Sequence, residues 1–424
     1  MRIQNRQLSS HFLGYSPAAF AFTALLFGAT GYAQPQTAQP LPEGPGRELV
    51  VQLCNSCHAF AARVGGGYTA QGWPTVMRMM TNHGLNLDAA QIETITGYLV
   101  KNYPERPKPA AVLVDGPVKV DIKAWQVPTP GSRPHDPLGT RDGALWYSGQ
   151  MTNTLGRIDP KTGQAREFAL KTPHSGPHGL MEDPSGNIWY TGNTGALMGK
   201  LDPKTGTVTE YPMPDKTVGD PHTLVIDAKG IVWFTAQNAN RIGRLDPQTG
   251  HIQLLTPPTA NSRPYGMAIN SKGVVYYVAF GTNKVGAIDP QTLAIKEYTL
   301  PNAGSRPRRI TISPDDIVWY ADFSRGYLGR LDTGTGAVTE FASPSGPRSQ
   351  PYGMSAIDGA IWYSESGTQP GTVVRFDLPT QKFQSWAIPG GGDIVRNTSV
   401  TPDGGFVLAN SLTNEVTLVR VVKP

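Results

Sequence analysis

Residues 177–212 read PHGLMEDPSGNIWYTGNTGALMGKLDPKTGTVTEYP, and variants of this stretch recur along most of the sequence. An apolar-Trp or apolar-Tyr strand within it recurs at intervals of 43 to 45 residues. Its seven copies centre on Trp146, Trp189, Trp233, Tyr276, Trp319, Trp362 and Val407. A fixed period near 43 with alternating apolar positions predicts four short strands per repeat, which is typical of a propeller blade.

Two further features set the phase of each repeat. A D-P-x-T-G-like turn follows the aromatic strand, and its proline and glycine supply the preset and permissive φ angles that a tight hairpin requires. These turns begin at Asp159, Asp202, Asp246, Asp289, Asp332 and Asp377. An alternating strand that ends near proline comes next, as in Val208–Pro212. We expect the aromatic side chain of each repeat to be buried between blades.

The two ends of the repeat region are incomplete in complementary ways. Residues 118–128 (VKVDIKAWQVP) match only the last strand of a repeat, and residues 415–422 (EVTLVRVV) end one strand early. We therefore predict that the two ends complete one blade together, which removes the open edges of the sheet. The predicted fold is an all-β seven-bladed propeller over residues 118–424, because a β sandwich does not explain seven nearly equal intervals.

A P-x-G-[LM]-like tetrad lies about eleven residues before each aromatic strand, where the innermost strand of a blade should begin. We define the mouth ring as the second tetrad residue of each repeat: His135, His178, His222, Tyr265, Arg308, Tyr352 and Arg396. Equivalent positions of a propeller point toward one axis, so these side chains should converge. Arg133, Arg263 and Arg306 precede three tetrad prolines and add positive charge, which predicts binding of an anionic group. The alternative is that these side chains only hydrogen-bond neighbouring blades.

The two cysteines of the 424-residue sequence both lie in the motif Cys54-Asn55-Ser56-Cys57-His58. In this spacing two thiols can form thioethers to the haem vinyl groups while the histidine reaches the iron. A zinc site needs two more ligands, and a thioredoxin-like pair leaves the histidine unexplained. The motif therefore predicts covalently bound haem c, attached through Cys54 and Cys57 with His58 as an iron ligand.

Apolar residues with helical spacing flank this motif at residues 46–53 and 89–103. Residues 46–104 resemble a minimal, all-α class I cytochrome c domain, with the haem motif near its start and a closing helix at its end. The resemblance implies Met80 as the sixth iron ligand, in a W-x(6)-M-x(3)-G pattern that begins at Trp73. A methionine would raise the reduction potential, whereas a second histidine would lower it. The other candidates are Met77, Met79 and His83.

The N-terminus has the pattern of an export signal. Arg2 and Arg6 precede an apolar stretch too short for a membrane span, and small residues predict cleavage before Gln34. The expected segments are a signal peptide at 1–33, a flexible linker at 34–45 and a Pro-rich hinge at 105–117. We expect a periplasmic protein with no membrane span after cleavage. The formal net charge of +5 without a long Lys/Arg run gives no case for nucleic-acid binding.

The tetrads P-H-G-L (177–180) and P-Y-G-M (264–267 and 351–354), the I-W-Y strands and the L-G-R-[IL]-D turns resemble virginiamycin B lyase. The resemblance covers residues 118–424 and implies a metal-assisted elimination with a P-H-G histidine as base, a role that His178 and His222 match. It also implies a glutamate four residues after the aromatic of the same blade. The seven blades hold Gln150, Asn193, Gln237, Phe280, Phe323, Ser366 and Ser411 at that position.

A neutral amide cannot replace a carboxylate in metal binding or acid–base catalysis without a large cost. The nearest acids, Asp322 and Glu365, come one position early on other blades. The sequence therefore supports the fold of this family better than its lyase chemistry.

Three hypotheses for the function remain. The first is a periplasmic haem protein with an electron-transfer or oxidoreductase role, which exchanges electrons with a donor or acceptor protein. In this hypothesis the propeller binds a small anionic substrate or a partner protein. The presence of a haem motif in the same chain favours it, because elimination is redox-neutral and has no use for haem. The second is a C–O lyase with His178 or His222 as base, assisted by Asp220 or Glu365. The third is a non-catalytic propeller that docks the cytochrome to a larger redox complex.

The first hypothesis assigns roles to the mouth ring. Its histidines are candidate catalytic residues and could hold a second metal ion or an organic cofactor. These are His135, His178 and His222. The remaining members are candidate substrate-binding residues, namely Tyr265, Arg308, Tyr352 and Arg396.

Overall fold

The propeller closes through a sheet that both ends of the repeat region build together. In the computed structural model, β1 (Val120–Gln126) pairs antiparallel with β28 (Glu415–Val421). The sheet continues from β28 to β27 (Phe406–Asn410) and then to β26 (Val395–Val400). These four strands form blade 7 and confirm the predicted closure.

Seven four-stranded antiparallel sheets form in the part of the chain that the structure describes, residues 41–54, 60, 64, 66–392 and 394–422. In blades 1 to 6 the strands pair in chain order, so each blade is a meander. Blades 1 to 3 contain β2 (Pro134–Gly139), β3 (Leu145–Gly149), β4 (Thr154–Ile158), β5 (Ala165–Ala169), β6 (Pro177–Glu182), β7 (Ile188–Gly192), β8 (Leu197–Leu201), β9 (Val208–Pro212), β10 (Pro221–Ile226), β11 (Val232–Ala236), β12 (Arg241–Leu245) and β13 (Ile252–Leu255). Blades 4 to 6 contain β14 (Pro264–Ile269), β15 (Val275–Ala279), β16 (Lys284–Ile288), β17 (Ile295–Thr299), β18 (Pro307–Ile312), β19 (Val318–Asp322), β20 (Tyr327–Leu331), β21 (Val338–Ala342), β22 (Pro351–Ile357), β23 (Ala360–Glu365), β24 (Thr372–Asp377) and β25 (Phe383–Ala387). A one-turn 3-10 helix, Pro389–Gly391, precedes blade 7.

The second strand of each blade is buried along its whole length. The repeated aromatic residues are buried as predicted, and Val407 is buried at the equivalent position of blade 7. The neighbouring ring in blades 1 to 5 lies over a glycine of the third strand, at which an added Cβ would come within 1.9 to 2.1 Å of ring carbons. The pairs are Tyr147 with Gly156, Tyr190 with Gly199, Phe234 with Gly243, Tyr277 with Gly286 and Tyr320 with Gly329. The recurring L-G-R pattern therefore leaves space for these rings.

The Asp-headed turns join the third and fourth strands of their blades. In the first, the Asp159 carboxylate accepts a hydrogen bond from the Lys161 amide at 2.8 Å, and Gly163 has a φ of 75°. Leu293 and Gln381 take the positive-φ position in two other turns, with φ of 62° and 54°. The predicted turn chemistry is therefore kept even where glycine is absent.

The segment before the propeller is helical. Helix α1 (Arg47–Leu49) continues as a π-helical stretch, Val50–Cys54, and is followed by α2 (Gly72–Asn82) and α3 (Ala89–Asn102). A capping box at Asp88 begins α3. The buried side chains of these helices are Val50, Trp73, Met77, Met79, Ile95, Tyr98 and Leu99. The resemblance of this segment to a cytochrome c domain stays a prediction, since Cys57 and His58 lie outside the described residues.

Residues 1–33 and most of the 34–45 linker also lie outside the described residues, so the signal peptide stays a prediction. Residues 105–117 run along blade 6, where the amides of Val112 and Val114 donate hydrogen bonds to Ser345 and Ser385 at 3.0 and 2.8 Å. These contacts hold the connecting segment against the propeller. Within the described ranges, every helix is too short or too polar to cross a bilayer.

We expect Gly243→Ala to lower the free energy of unfolding by about 1–3 kcal/mol, the usual cost of overpacking a core. The added methyl group would lie 1.9 Å from the Cζ atom of Phe234. The control is Gly219→Ala, at an exposed position with no atom within 4 Å of the added carbon. Urea denaturation of the two variants measures the difference, and equal midpoints would contradict the packing described here.

Candidate functional site

The mouth ring converges on the propeller axis as predicted. Ring centroids of His135 and His178 lie 3.7 Å apart, those of His178 and His222 lie 4.0 Å apart, and those of His222 and Tyr265 lie 4.0 Å apart. The hydroxyl groups of Tyr265 and Tyr352 are within 2.5 Å of each other. These side chains close the axis rather than line an open channel, because each histidine is at most 5% exposed.

Burial and neighbouring cations keep the three histidines neutral. Burial, the largest cause, holds the pKa of each imidazole well below its usual range. Arg396 is the strongest additional cause at His135, whereas the neighbouring imidazoles lower the pKa of His178 and His222 further. Neutral imidazole is the form that can accept a proton or ligate a metal.

A β-bulge occurs in the innermost strand of every blade, directly at the mouth ring. In blade 1 the pairing register shifts between Pro134 and Pro137, and the other six inner strands shift at the equivalent place. A bulge re-aims side chains and breaks the strict alternation of a strand. The third tetrad residue can therefore also reach the axis, which sequence reasoning did not anticipate.

We define the channel plug as the four third-position residues with polar side chains: Asp136, Thr223, Arg309 and Asn397. Arg309 donates hydrogen bonds to the Thr223 hydroxyl and to the Arg396 carbonyl, each at 2.7 Å. Asn397 donates to the Asp136 carboxylate at 2.6 Å, and the His135 Nδ1 atom lies 2.7 Å from the same carboxylate. The sequence could have indicated the plug, because these four residues stand where the other three tetrads have glycine.

The other half of the mouth is aromatic and cationic. The Arg308 guanidinium lies 4.0 Å from the ring centroid of Tyr352 and 5.2 Å from that of Tyr265. Phe323 and Phe280 flank it at 4.3 and 4.8 Å. Burial would raise the pKa of Tyr265, but the charges of Arg308 and its neighbour Arg309 outweigh burial and lower it. Imidazoles therefore occupy one side of the axis, and an arginine in an aromatic cage occupies the other.

The residues four positions after each aromatic form a second circle around the mouth ring. Gln150 accepts a hydrogen bond from Arg133 at 2.8 Å, and Ser411 accepts one from Arg396 at 2.6 Å. Asn193 donates to the Pro221 carbonyl at 3.1 Å. These contacts place the position of the family glutamate beside the mouth ring, where this chain has neutral side chains.

The two carboxylates that the lyase hypothesis uses, Glu365 and Asp220, do not lie at that sequence position. Glu365 is fully buried and accepts hydrogen bonds from the hydroxyls of Ser343, Ser345 and Thr372 at 2.5 to 2.8 Å. Asp220 accepts from the backbone amides at 238 and 239, and burial raises the pKa of its carboxyl. Each of these carboxylates therefore stabilises its own loop or blade.

A possible metal-binding group lies in blades 1 and 2. Ligand atoms of His135, Asp136 and His178 lie within 4.8 Å of one another, and the His178 Nδ1 atom has no hydrogen-bond partner. Two imidazoles and a carboxylate suit a transition metal by atom type. The charge does not fit, because Arg309 already lies 3.7 Å from the Asp136 oxygen that a metal would use. The second metal ion stays a prediction, and we derive no chemistry from it.

A cavity of about 200 Å³ lies beneath the channel plug along the axis. Thr223, Arg309 and Asn397 contribute to its wall together with apolar residues of the inner strands, such as Leu224 and Met267. The wall of this cavity is about equally polar and apolar, whereas the mouth ring presents imidazoles and cations.

Two of the residues predicted to bind haem, Cys54 and Met80, lie in the described part of the helical segment. Cys54 is half-buried at the end of the π-helical stretch, and Met80 is half-buried in the last turn of α2. Met77 and Met79 are 3% and 4% exposed and belong to the core of the helices. Their burial is consistent with a packing role, which leaves Met80 as the more accessible thioether.

Helix α2 contacts the loops that lead into the histidine strands, within one compact unit that spans Pro42–Pro424. Asn82 donates hydrogen bonds at 3.2 Å to the carbonyls of Pro130 and Gly131, just before His135. The rings of His83 and His174 meet edge to face at 5.9 Å, just before His178. The C-terminal end of α2, which carries Met80, therefore lies at the edge of the mouth.

A family model described as the virginiamycin B lyase family matches residues 115–376. A streptogramin B lyase structure has 25% identity and a TM-score of 0.66, covering 72% of this chain and 98% of that one. A catalytically inactive histidine-to-alanine variant of virginiamycin B lyase from Staphylococcus aureus, solved with quinupristin, has 21% identity and a TM-score of 0.64 over 71% and 100%. Kuenenia stuttgartiensis hydrazine synthase has 16% identity and a TM-score of 0.57 over 69% and 96%, which shows a shared fold alone. No curated protein matched the sequence.

We expect the stability of the protein to fall as the pH drops below about 6.5, the ordinary histidine pKa. Below this pH the histidines of the unfolded chain bind protons, whereas the buried imidazoles of the folded protein do not. Each histidine therefore contributes up to about 1.4 kcal/mol per pH unit to the slope of the unfolding free energy against pH. Unfolding free energies between pH 5.0 and 6.5 should show a smaller slope for His222→Gln than for the wild type. The control, Tyr265→Phe, should keep the wild-type slope; equal slopes in all three proteins would contradict neutral imidazoles.

Proposed function

The chain belongs to the virginiamycin B lyase family, and we propose that it is a periplasmic c-type haem protein with an electron-transfer role. Its propeller mouth binds the anionic group of a substrate or partner protein, and its helical segment carries the haem. The observation that carries this proposal is the contact of α2 with the loops before His135 and His178. Electron transfer needs a short distance between the redox centre and the bound group, and this contact supports one.

The residues present fit a covalent haem. Cys54 and Cys57 would form the thioethers, and His58 and Met80 would ligate the iron. Cys54 and Met80 are half-buried, whereas Met77 and Met79 are buried, so Met80 is more exposed than the other two methionines of the helix. When bound, such a haem supplies one-electron oxidation and reduction.

The residues of the mouth would bind and orient the partner group. Arg308 and Arg396 attract a negative charge. The imidazoles of His178 and His222 are neutral, so each can accept a proton from the bound group. The aromatic rings around Arg308 exclude water from one face of its guanidinium. These functions need no carboxylate at the position where the family glutamate is absent.

We expect the holoprotein, matured in a host that attaches c-type haem, to give a pyridine haemochrome spectrum. The oxidised haem is paramagnetic, so NMR signals of the His174 imidazole should broaden in the oxidised protein and sharpen on reduction. His251, in a turn joining the third and fourth strands of blade 3, is the internal control and should not change. The absence of haem, or identical His174 signals in both redox states, would overturn the proposal.

A second candidate function is C–O lyase activity, which family membership favours. His222 or His178 would act as base, and their neutral state suits that role. The geometry disfavours it, because Asn193 hydrogen-bonds a backbone carbonyl where a carboxylate is needed. Incubation with a streptogramin B compound and magnesium decides the question. We expect no ring-opened product, and its formation would establish the lyase activity. The third hypothesis is that the propeller is non-catalytic and docks the cytochrome to a larger redox complex.

A further inference from the structure

We propose that the mouth binds a small organic carboxylate at Arg308 and Arg396, on the aromatic side of the axis. This inference deepens the recognition part of the proposed function and is independent of its haem part. Both arginines are half-buried, so their side chains remain in contact with solvent at the mouth. The site combines two cations, a rigid aromatic support and neutral imidazoles opposite them.

The first argument is the charge of these two arginines. Among the described residues, neither guanidinium lies within 4.0 Å of a carboxylate, whereas Arg309 at least approaches Asp136. Arg396 donates instead to the Ser411 hydroxyl at 2.6 Å, a neutral acceptor. Both cations also lower the pKa of His135, which shows that their field extends across the mouth. A bound anion would neutralise this excess positive charge.

The second argument is a set of buried polar atoms without partners on the axis. The Nε atom of Arg308, an Nη atom of Arg309 and the Nδ1 atom of His178 lack hydrogen-bond partners. Arg309 is 2% exposed and His178 is 3% exposed, so bulk water does not satisfy them. Buried donors normally have an acceptor, and an oxyanion offers several acceptor sites at once.

The third argument is the rigidity of Arg308. Four aromatic rings lie 4.0 to 5.2 Å from its guanidinium and fix its plane. An arginine held in this way loses little side-chain entropy when it forms a bidentate pair with a planar carboxylate. Phe280 and Phe323, two of the four rings, stand at the position of the family glutamate. In these two blades, the position where the family has a glutamate therefore holds an aromatic ring that packs against Arg308, the residue proposed to bind the ligand carboxylate.

A metal cation fits the same mouth less well. The arginines that attract an anion repel a divalent ion, and Asp136 is the one carboxylate that contacts the imidazoles among the described residues. That carboxylate already has His135, Asn397 and Arg309 around it. The neutral imidazoles add no negative charge to favour a cation, but they can hydrogen-bond an anion.

Calorimetric titration of the full-length holoprotein at low ionic strength tests the site, with malonate and inorganic phosphate as separate probes. We expect saturable malonate binding that is tighter than phosphate binding. Arg308→Gln should weaken malonate binding about 10- to 100-fold, the usual effect of losing charge-assisted hydrogen bonds. The matched control, Arg330→Gln, changes an arginine of the same blade that lines a cavity between blades 5 and 6, and should bind as the wild type does.

Arg396→Gln provides a second variant in case Arg308→Gln does not fold, and circular dichroism monitors the fold of each. Tighter binding of phosphate than of malonate would replace the carboxylate by a phosphoryl group and overturn the ligand class. The absence of saturable binding of either probe, or equal affinities of wild type and Arg308→Gln, would overturn the site. If the protein carries no haem after maturation in a host that attaches c-type haem but still binds malonate, the redox function is overturned and this inference stands.

Discussion

Closure of the ring by β1 and β28 is the constraint on which the rest of the structure depends. Each blade is a small sheet with one exposed edge, and it becomes stable only when both of its faces pack against neighbours. Pairing of the two chain ends supplies the seventh neighbour and encloses an axis. The seven inner strands then bring residues from 135 to 396 into one small volume. The chemistry of the mouth is therefore a product of closure.

Burial at that axis determines the electrostatics of the site. The histidines stay neutral because desolvation disfavours their charged form, and the nearby arginines act in the same direction. Asp136 is held by His135 and Asn397, so its charge serves the plug rather than a ligand. The positive charge that remains lies at Arg308 and Arg396. A mouth of this kind suits anions. Four residues after the repeated aromatic, where the resemblance to the lyase implies a glutamate, all seven blades have a neutral residue.

The mouth ring could be predicted from the sequence because it repeats with the blades, and a repeated position in a propeller has one orientation. Asp136 and Arg309 could not, since strand alternation sends the third tetrad residue to the opposite face. The β-bulge in each inner strand overrides that alternation. The sequence shows that these residues replace the tetrad glycine, but it does not show the bulge that directs their side chains to the axis. The C-x-x-C-H motif that predicts haem was equally visible, but Cys57 and His58 lie outside the described residues.

The sequence by itself determined the number of blades, the closing pair of strands and the members of the mouth ring, and it contains the C-x-x-C-H motif that predicts haem. These features are local or periodic, so neighbouring residues and regular spacing are enough to specify them. Only the tertiary structure decided that the channel is plugged, that imidazoles and aromatic rings occupy opposite sides, and that α2 contacts the loops beside His135 and His178. Those features depend on contacts between residues far apart in the chain, such as Asn397 with Asp136 and Asn82 with Gly131. These contacts depend on packing and charge between residues that only the folded chain brings together, so a local sequence pattern does not predict them.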